Sequence, residues 1–258
     1  MCVLFIAWKA HPDYPLIIAA NRDEYFERNT ASLAPWTDQP IIAGRDLAAG
    51  GTWLGLTTKG HIAGLTNIRR PDLTQLHKRS RGELVVNYLL ATEDFPSWLI
   101  DHAQDYNPFN LLFGSAQQLW TFDSVRSKIA PMPPGFHSIS NGALDDIWPK
   151  MARGTQALQA YIQAHAQLEP EPLLALLQDS TPAPYERLPQ TGIPLKYEHR
   201  LSSIFIPAAN FPQGQYGTRS SSVLLYSPTH YQFIEQSYNE HGNVIHYEHL
   251  RGLISSII

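Results

Sequence analysis

Two short apolar runs open the chain, Val3 to Trp8 and Leu16 to Ala20, and between them His11, Pro12, Asp13, Tyr14 and Pro15 form a cluster with turn chemistry. This pattern predicts an antiparallel hairpin. With Trp8 facing Leu16, Cys2 falls opposite Arg22 and beside Asn21 and Asp23, so polar chemistry gathers at one end of the pair. A second hairpin is predicted from Thr52 to Thr57 and His61 to Asn67, turning at Thr58, Lys59 and Gly60. Gly50 and Gly51 mark tight backbone just before it, and Asn67 ends its strand at an open edge.

Helical signals follow. Ser80 with Glu83 reads as a capping box opening a helix to Leu90, and Ser97 after Pro96 opens another to Tyr106. Strands are predicted at Asn110 to Gly114, Leu119 to Asp123 and His137 to Asn141. Pro149 suits the first turn of a helix carrying Leu158, Tyr161, Ile162 and His165 on one face, and Leu173 to Gln178 continues as a shorter helix. The stretch holding Pro182, Pro184, Pro189 and Pro194 reads as a surface loop, because Ser202 to Ile206, Arg219 to Tyr226, Gln232 to Tyr238 and Val244 to Leu250 read as strands that need a sheet to join. Strands, then helices, then strands predict an α+β arrangement of layers in a single domain over residues 1–258.

Composition narrows the function. A net charge of −4 gives no general attraction to nucleic acid or anionic membrane, so any basic site is local. No segment reaches the roughly 18 apolar residues of a membrane span, and no export signal is legible. The single cysteine excludes an internal disulfide or a multi-cysteine metal site and suits a reducing compartment, so the expected location is the cytoplasm. His246 and His249 lie three apart on a predicted strand, facing opposite ways, which argues against a metal. The one concentrated basic stretch, Arg69, Arg70, Lys78, Arg79 and Arg81 against Asp72, reads either as a solvated loop or as a clamp for carboxylates or phosphates.

Cys2 carries the sharpest chemistry. Removal of Met1 would make it an N-terminal nucleophile whose own α-amine, with a pKa of roughly 7.7–8.0, can take the thiol proton. Asp23 could orient that amine, Asn67 and Asn141 could donate to a developing oxyanion, and Arg219 could stabilise negative charge. Taken singly, each has a plainer reading as a buried thiol, a turn cap or a solvated strand end. Trp53 stands out among the tryptophans because adjacent glycines permit close backbone approach to a ligand.

Taken together, Asn21-Arg22-Asp23-Glu24, Ala43-Gly44-Arg45-Asp46, Gly50-Gly51-Thr52-Trp53-Leu54-Gly55, Thr66-Asn67, Ser140-Asn141-Gly142, Trp148-Pro149-Lys150 and Tyr216-Gly217-Thr218-Arg219-Ser220-Ser221 resemble the NRDE family, also called the Transport and Golgi organisation protein 2 family. More distantly the chain is similar to cysteine N-terminal nucleophile hydrolases of the bile-salt hydrolase and penicillin acylase kind, with Cys2, Asp23, Asn67, Asn141 and Arg219 matching their site roles in order. The arginine those enzymes place shortly before the aspartate has no counterpart at its usual spacing, since Arg22 adjoins Asp23. The resemblance implies a four-layer αββα sandwich. It also implies a haem-binding, haem-trafficking protein that holds haem transiently and non-covalently for an unnamed acceptor, with Asn21, Arg22, Glu24, Trp53 and Arg69 as ligand contacts. Two alternatives accompany it: an amidohydrolase acting on linear C–N amide bonds, and a binder of acyl-coenzyme A or lipid.

Overall fold

Strand β1 (Cys2–Trp8) is apolar at every position because both its faces are covered. It pairs antiparallel with β2 (Leu16–Tyr25) in the expected register, Trp8 opposite Leu16 and Cys2 opposite Arg22. Alternate residues then serve different layers. Leu4, Ile6, Leu16 and Ile18 enter the central core, whereas Val3, Phe5, Ile17 and Ala19 enter a second core on the opposite face. The computed structural model describes residues 2–91 and 94–255.

Next in the chain come β3 (Thr30–Pro35), β4 (Ile42–Asp46), β5 (Leu54–Leu56) and β6 (Ile62–Asn67), followed by α1 (Gly82–Leu90) and α2 (Phe95–His102). Strands β7 (Phe109–Gly114), β8 (Leu119–Asp123), β9 (Lys128–Pro131) and β10 (Gly135–Ile139) lead into α3 (Pro149–Ala164), α4 (Pro170–Leu176) and α5 (Leu195–Arg200). The chain returns as β11 (Ala209–Phe211), β12 (Gly214–Tyr226), β13 (His230–Tyr238) and β14 (Val244–Leu253). One seven-stranded antiparallel sheet has the order β10-β1-β2-β12-β13-β14 with β11 on β12; the other runs β3-β4-β5-β6-β7-β8-β9.

The two sheets face each other through Leu4, Ile6, Ile18, Leu224 and Phe233 on one side and Leu33, Leu54, Leu56, Ile62 and Leu112 on the other. Helices α3 and α4 cover the outer face of the first sheet with Leu158, Ile162, Leu173 and Leu174. Helices α1 and α2 cover the outer face of the second with Leu84, Val85, Leu89, Phe95 and Leu99. The result is the expected four-layer αββα sandwich. No described helix is long and apolar enough to cross a membrane.

Several local expectations differ from the structure. Residues 202–206 are buried but form no strand; Ser202 Oγ donates to the His199 carbonyl at 2.7 Å and Ser203 Oγ to that of Phe205 at 2.6 Å, so side-chain hydroxyls take the place of ladder bonds. The capping box does not form. Helix α1 lacks a side-chain cap, and the Glu83 carboxylate instead accepts from Arg79 Nε at 2.9 Å. The predicted second helix ends at His102 and passes into a 3-10 turn at Ala103–Asp105. Strands β3, β4, β9 and β11 and helix α5 carried too little periodicity to be predicted; β9, for example, has only four residues.

Candidate functional site

The β1–β2 register puts Cys2 and Arg22 side by side on the face turned toward the second sheet. Between the sheet ends opens a cleft of about 430 Å³ whose wall includes Cys2, Arg22, Asp23, Glu24, Trp53, Asn67 and Arg219. Seven of the ten residues expected at the site thus line one cavity. Asn21, Asn141 and Arg69 do not.

Asn21 points to the helical face, where its amide donates to the Leu177 carbonyl at 2.9 Å and the Ile204 carbonyl at 3.0 Å and accepts from Ser221 Oγ at 2.6 Å. It ties α4 and the buried 202–206 segment to the sheet. Arg69 is buried, forms an ion pair with Glu198 of α5, donates to Asn141 Oδ1 at 3.2 Å, and stacks 5.5 Å from the Trp148 ring centre. Asn141 Nδ2 in turn donates to the Asn67 carbonyl at 2.9 Å. Ser140 Oγ donates to the Cys2 carbonyl at 3.1 Å and to Asn141 Oδ1 at 3.3 Å. A bonded series from Glu198 through Arg69 and Asn141 therefore fixes Asn67 and Cys2 from behind the cleft.

Cys2 is 8% exposed, and burial pushes its thiol above the ordinary range. Asp23 accepts from Thr218 Oγ1 at 2.7 Å; burial pushes its carboxyl up as well, opposed by Lys150, Thr218 and Arg22. Lys150, within the Trp148-Pro149-Lys150 motif, is fully enclosed behind the site. Its ammonium donates to the Leu201 carbonyl at 3.1 Å, and burial pushes its pKa down to about 8, partly offset by Asp23. Lys150 was not among the expected site residues, and a lysine at the first turn of a helix gives no sign in sequence of being enclosed.

The cleft is rich in guanidinium groups that differ in how they are used. Arg28 pairs with Asp46, its Nε 2.9 Å from Oδ2. Arg219 sits at a bulge in β12 and directs Nη1 to the carbonyls of Tyr25, Phe26 and Arg28 at 2.9, 3.1 and 3.2 Å, pinning the turn after β2. Arg81 donates to the Pro108 carbonyl at 3.1 Å. Arg22 is 7% exposed, reaches the Glu24 carboxylate only at 4.0 Å, and its Nη1 is buried with no hydrogen-bond partner among the described residues. A buried donor is normally satisfied, and the buried Nε of Arg219 on the same wall shares this exception. Glu235, also on the cleft wall, accepts from the Leu33 amide at 2.8 Å, and burial pushes its carboxyl up.

Gly51 has a different purpose from close ligand approach. A Cβ there would lie 2.5 Å from the Gly82 carbonyl carbon, so its smallness lets the segment before β5 press against the start of α1. Two residues on, Trp53 is 8% exposed and lines the cleft.

This architecture is the fold of N-terminal nucleophile hydrolases. It overlays the C2A mutant of conjugated bile acid hydrolase from Clostridium perfringens with a TM-score of 0.53, covering 97% of this chain and 92% of that one at 8% identity. The sequence relationship is narrower: the model of the family described as Transport and Golgi organisation 2 matches residues 1–240, and the chain belongs to that family. It is 31% identical over 257 residues to the Transport and Golgi organization protein 2 homolog of Bos taurus, and 30% over 258 residues to that of Homo sapiens. Each alignment covers 92% of this chain and 93% of the relative.

Proposed function

We propose that this protein is a cytoplasmic carrier that holds an anionic small molecule in the cleft, and that haem, as cargo, is the ligand to test first. The observation that carries the reading is the Arg22 guanidinium, which reaches Glu24 only at 4.0 Å and stands on the wall of a cleft within the roughly 300–1,000 Å³ range of small-molecule sites. A propionate meeting the cleft side of that guanidinium would form a charge-assisted hydrogen bond. Trp53 and Leu65 supply apolar wall for a flat ring, and Cys2 and His246 are the sulfur and imidazole donors on the same wall that could meet the iron. The affinity expected is moderate, since a carrier has to release its cargo.

Acyl-amide hydrolysis is the second reading, favoured by Cys2 and Asp23 sharing the cleft. It would use Cys2 as nucleophile, Asp23 to orient the α-amine of Met1-processed protein, Asn67 as oxyanion donor, Arg219 on the cleft wall to stabilise negative charge, and Asn141 as the group behind Asn67. Acyl-coenzyme A is the competing anionic ligand, with phosphates in place of propionates.

The test is a haem titration followed in the Soret region, repeated with acyl-coenzyme A as competitor. Saturable binding supports carriage. An unchanged haem spectrum at micromolar protein removes haem, and multiple turnovers of an acyl amide with an adduct on Cys2 would replace carriage by catalysis.

A further inference from the structure

The described sheets end in β10 and β14, and in β3 and β9, with the three-residue β11 as a further short edge on β12; all but β14 are blunted. Strand β9 has four residues and runs from Lys128 to Pro131. Strand β10 has five, follows Pro133 and Pro134, and begins at a glycine with φ 139°. Strand β3 slips register between Ala31 and Ala34 and ends at Pro35. Short length, lysine, proline and bulges are the devices by which proteins keep edge strands from pairing with other chains.

Strand β14 has neither lysine nor proline. It spans ten residues, pairs among the described residues only with β13, passes near β3 of the other sheet, and leaves Ile245, Tyr247 and Leu253 at 63, 45 and 77% exposure. Its one irregularity lies at its start, near Val244. The family model ends at residue 240, so this open edge lies outside the part of the chain that the model matches.

We infer that β14 is a dimerisation edge, pairing antiparallel with the same strand of a second copy across a two-fold axis and joining the two sheets into one. The strand's sequence is self-complementary for that purpose. A two-fold perpendicular to the sheet keeps like faces together, so directly opposed residues are an even number apart. Centred on Leu250, the pairing runs over residues 247–253 and sets Tyr247 against Leu253 of the partner subunit, covering two exposed apolar side chains on that face. Glu248 then opposes a glycine, Gly252 of the partner subunit, and His249 opposes Arg251 of the partner subunit. That last pair is tolerated because His249 already accepts from Arg251 Nε of its own chain at 3.1 Å, as a neutral imidazole does. No two like charges meet directly. Ile245 and His246 also border the cleft, so the seam would run beside its rim.

Sedimentation velocity of the full chain across micromolar concentrations tests the inference. Wild type is expected to move from monomer to twice the monomer mass as concentration rises. The double substitution Tyr247→Lys with Leu253→Lys is expected to stay monomeric, while Ile147→Lys, changing an 89% exposed residue outside the strand, dimerises like wild type. Hydrogen exchange of the wild type gives an independent reading, with amides of residues 247–253 slowing in concentrated relative to dilute protein. A monomer at every concentration, a dimer that survives both lysines, equal loss in the Ile147 control, or exchange in β14 that ignores concentration would each overturn it.

Discussion

Replacing Glu198 by alanine would strand the Arg69 guanidinium. The two side chains are 2% and 6% exposed, so water cannot take the carboxylate's place; Asn141 Oδ1 at 3.2 Å is neutral, and Asp23 is a weaker counter-charge than Glu198. Burial already disfavours the charged form of Arg69, and Glu198 is the largest opposing influence. Removing one partner of a buried ion pair costs about 3–5 kcal/mol. At about 2–4 °C per kcal/mol for a protein of this size, the melting temperature should fall by roughly 6–20 °C. Urea unfolding is the second assay, and the midpoint should drop while the slope holds. The companion is the double variant Arg69→Met with Glu198→Leu, which removes both charges and should recover much of the stability. It should not recover ligand affinity, because Asn141 loses the donor that orients it toward Asn67. A loss below about 1 kcal/mol in Glu198→Ala, the scale of an exposed pair, would refute the reasoning.

Two further outcomes follow from the same neighbourhood. Because the Lys150 pKa is lowered to about 8 in the fold, from 10.5, the unfolded chain binds more protons between those values, and stability should rise with pH from about 8 to 9.5. Lys150→Met should flatten that rise in pH-dependent urea unfolding; an identical slope in both proteins would contradict the enclosure of the ammonium. Gly51→Ala forces a Cβ into the backbone of Gly82 and should destabilise by roughly 1–3 kcal/mol by overpacking, with Trp53 fluorescence reporting displacement at the cleft. Unchanged stability and emission would show that the loop gives way freely.

The hairpin of β1 and β2 was legible because both strands are apolar and the proline-containing turn leaves one sensible register; that register alone brought Arg22 to Cys2. The β5–β6 turn was legible for the same reason, with Gly60 at φ 85° where a turn requires it. Strand β4 was missed because Ile42 to Asp46 offers three buried residues and then Arg45 and Asp46, too short an alternation to register. The roles of Arg69 and Asn21 were not legible either. An arginine in a basic stretch gives no hint that its partner lies 129 positions away on a six-residue helix, and an asparagine in a conspicuous tetrapeptide gives no hint that alternation turns it from the cleft. Motif membership identified the neighbourhood, and side-chain direction within it required coordinates.

Carriage requires the ligand's negative group to meet Arg22. The direct measurement is the dissociation constant of haem for wild type, Arg22→Ala and Arg22→Lys, determined by titration at fixed ionic strength. Losing a hydrogen bond to a charged group worth about 1.5–3 kcal/mol should weaken binding roughly 10- to 100-fold in Arg22→Ala, with Arg22→Lys between it and wild type because a lysine keeps the charge without the planar fork. Equal affinity in all three proteins would contradict the claim that the buried guanidinium is the ligand's anchor.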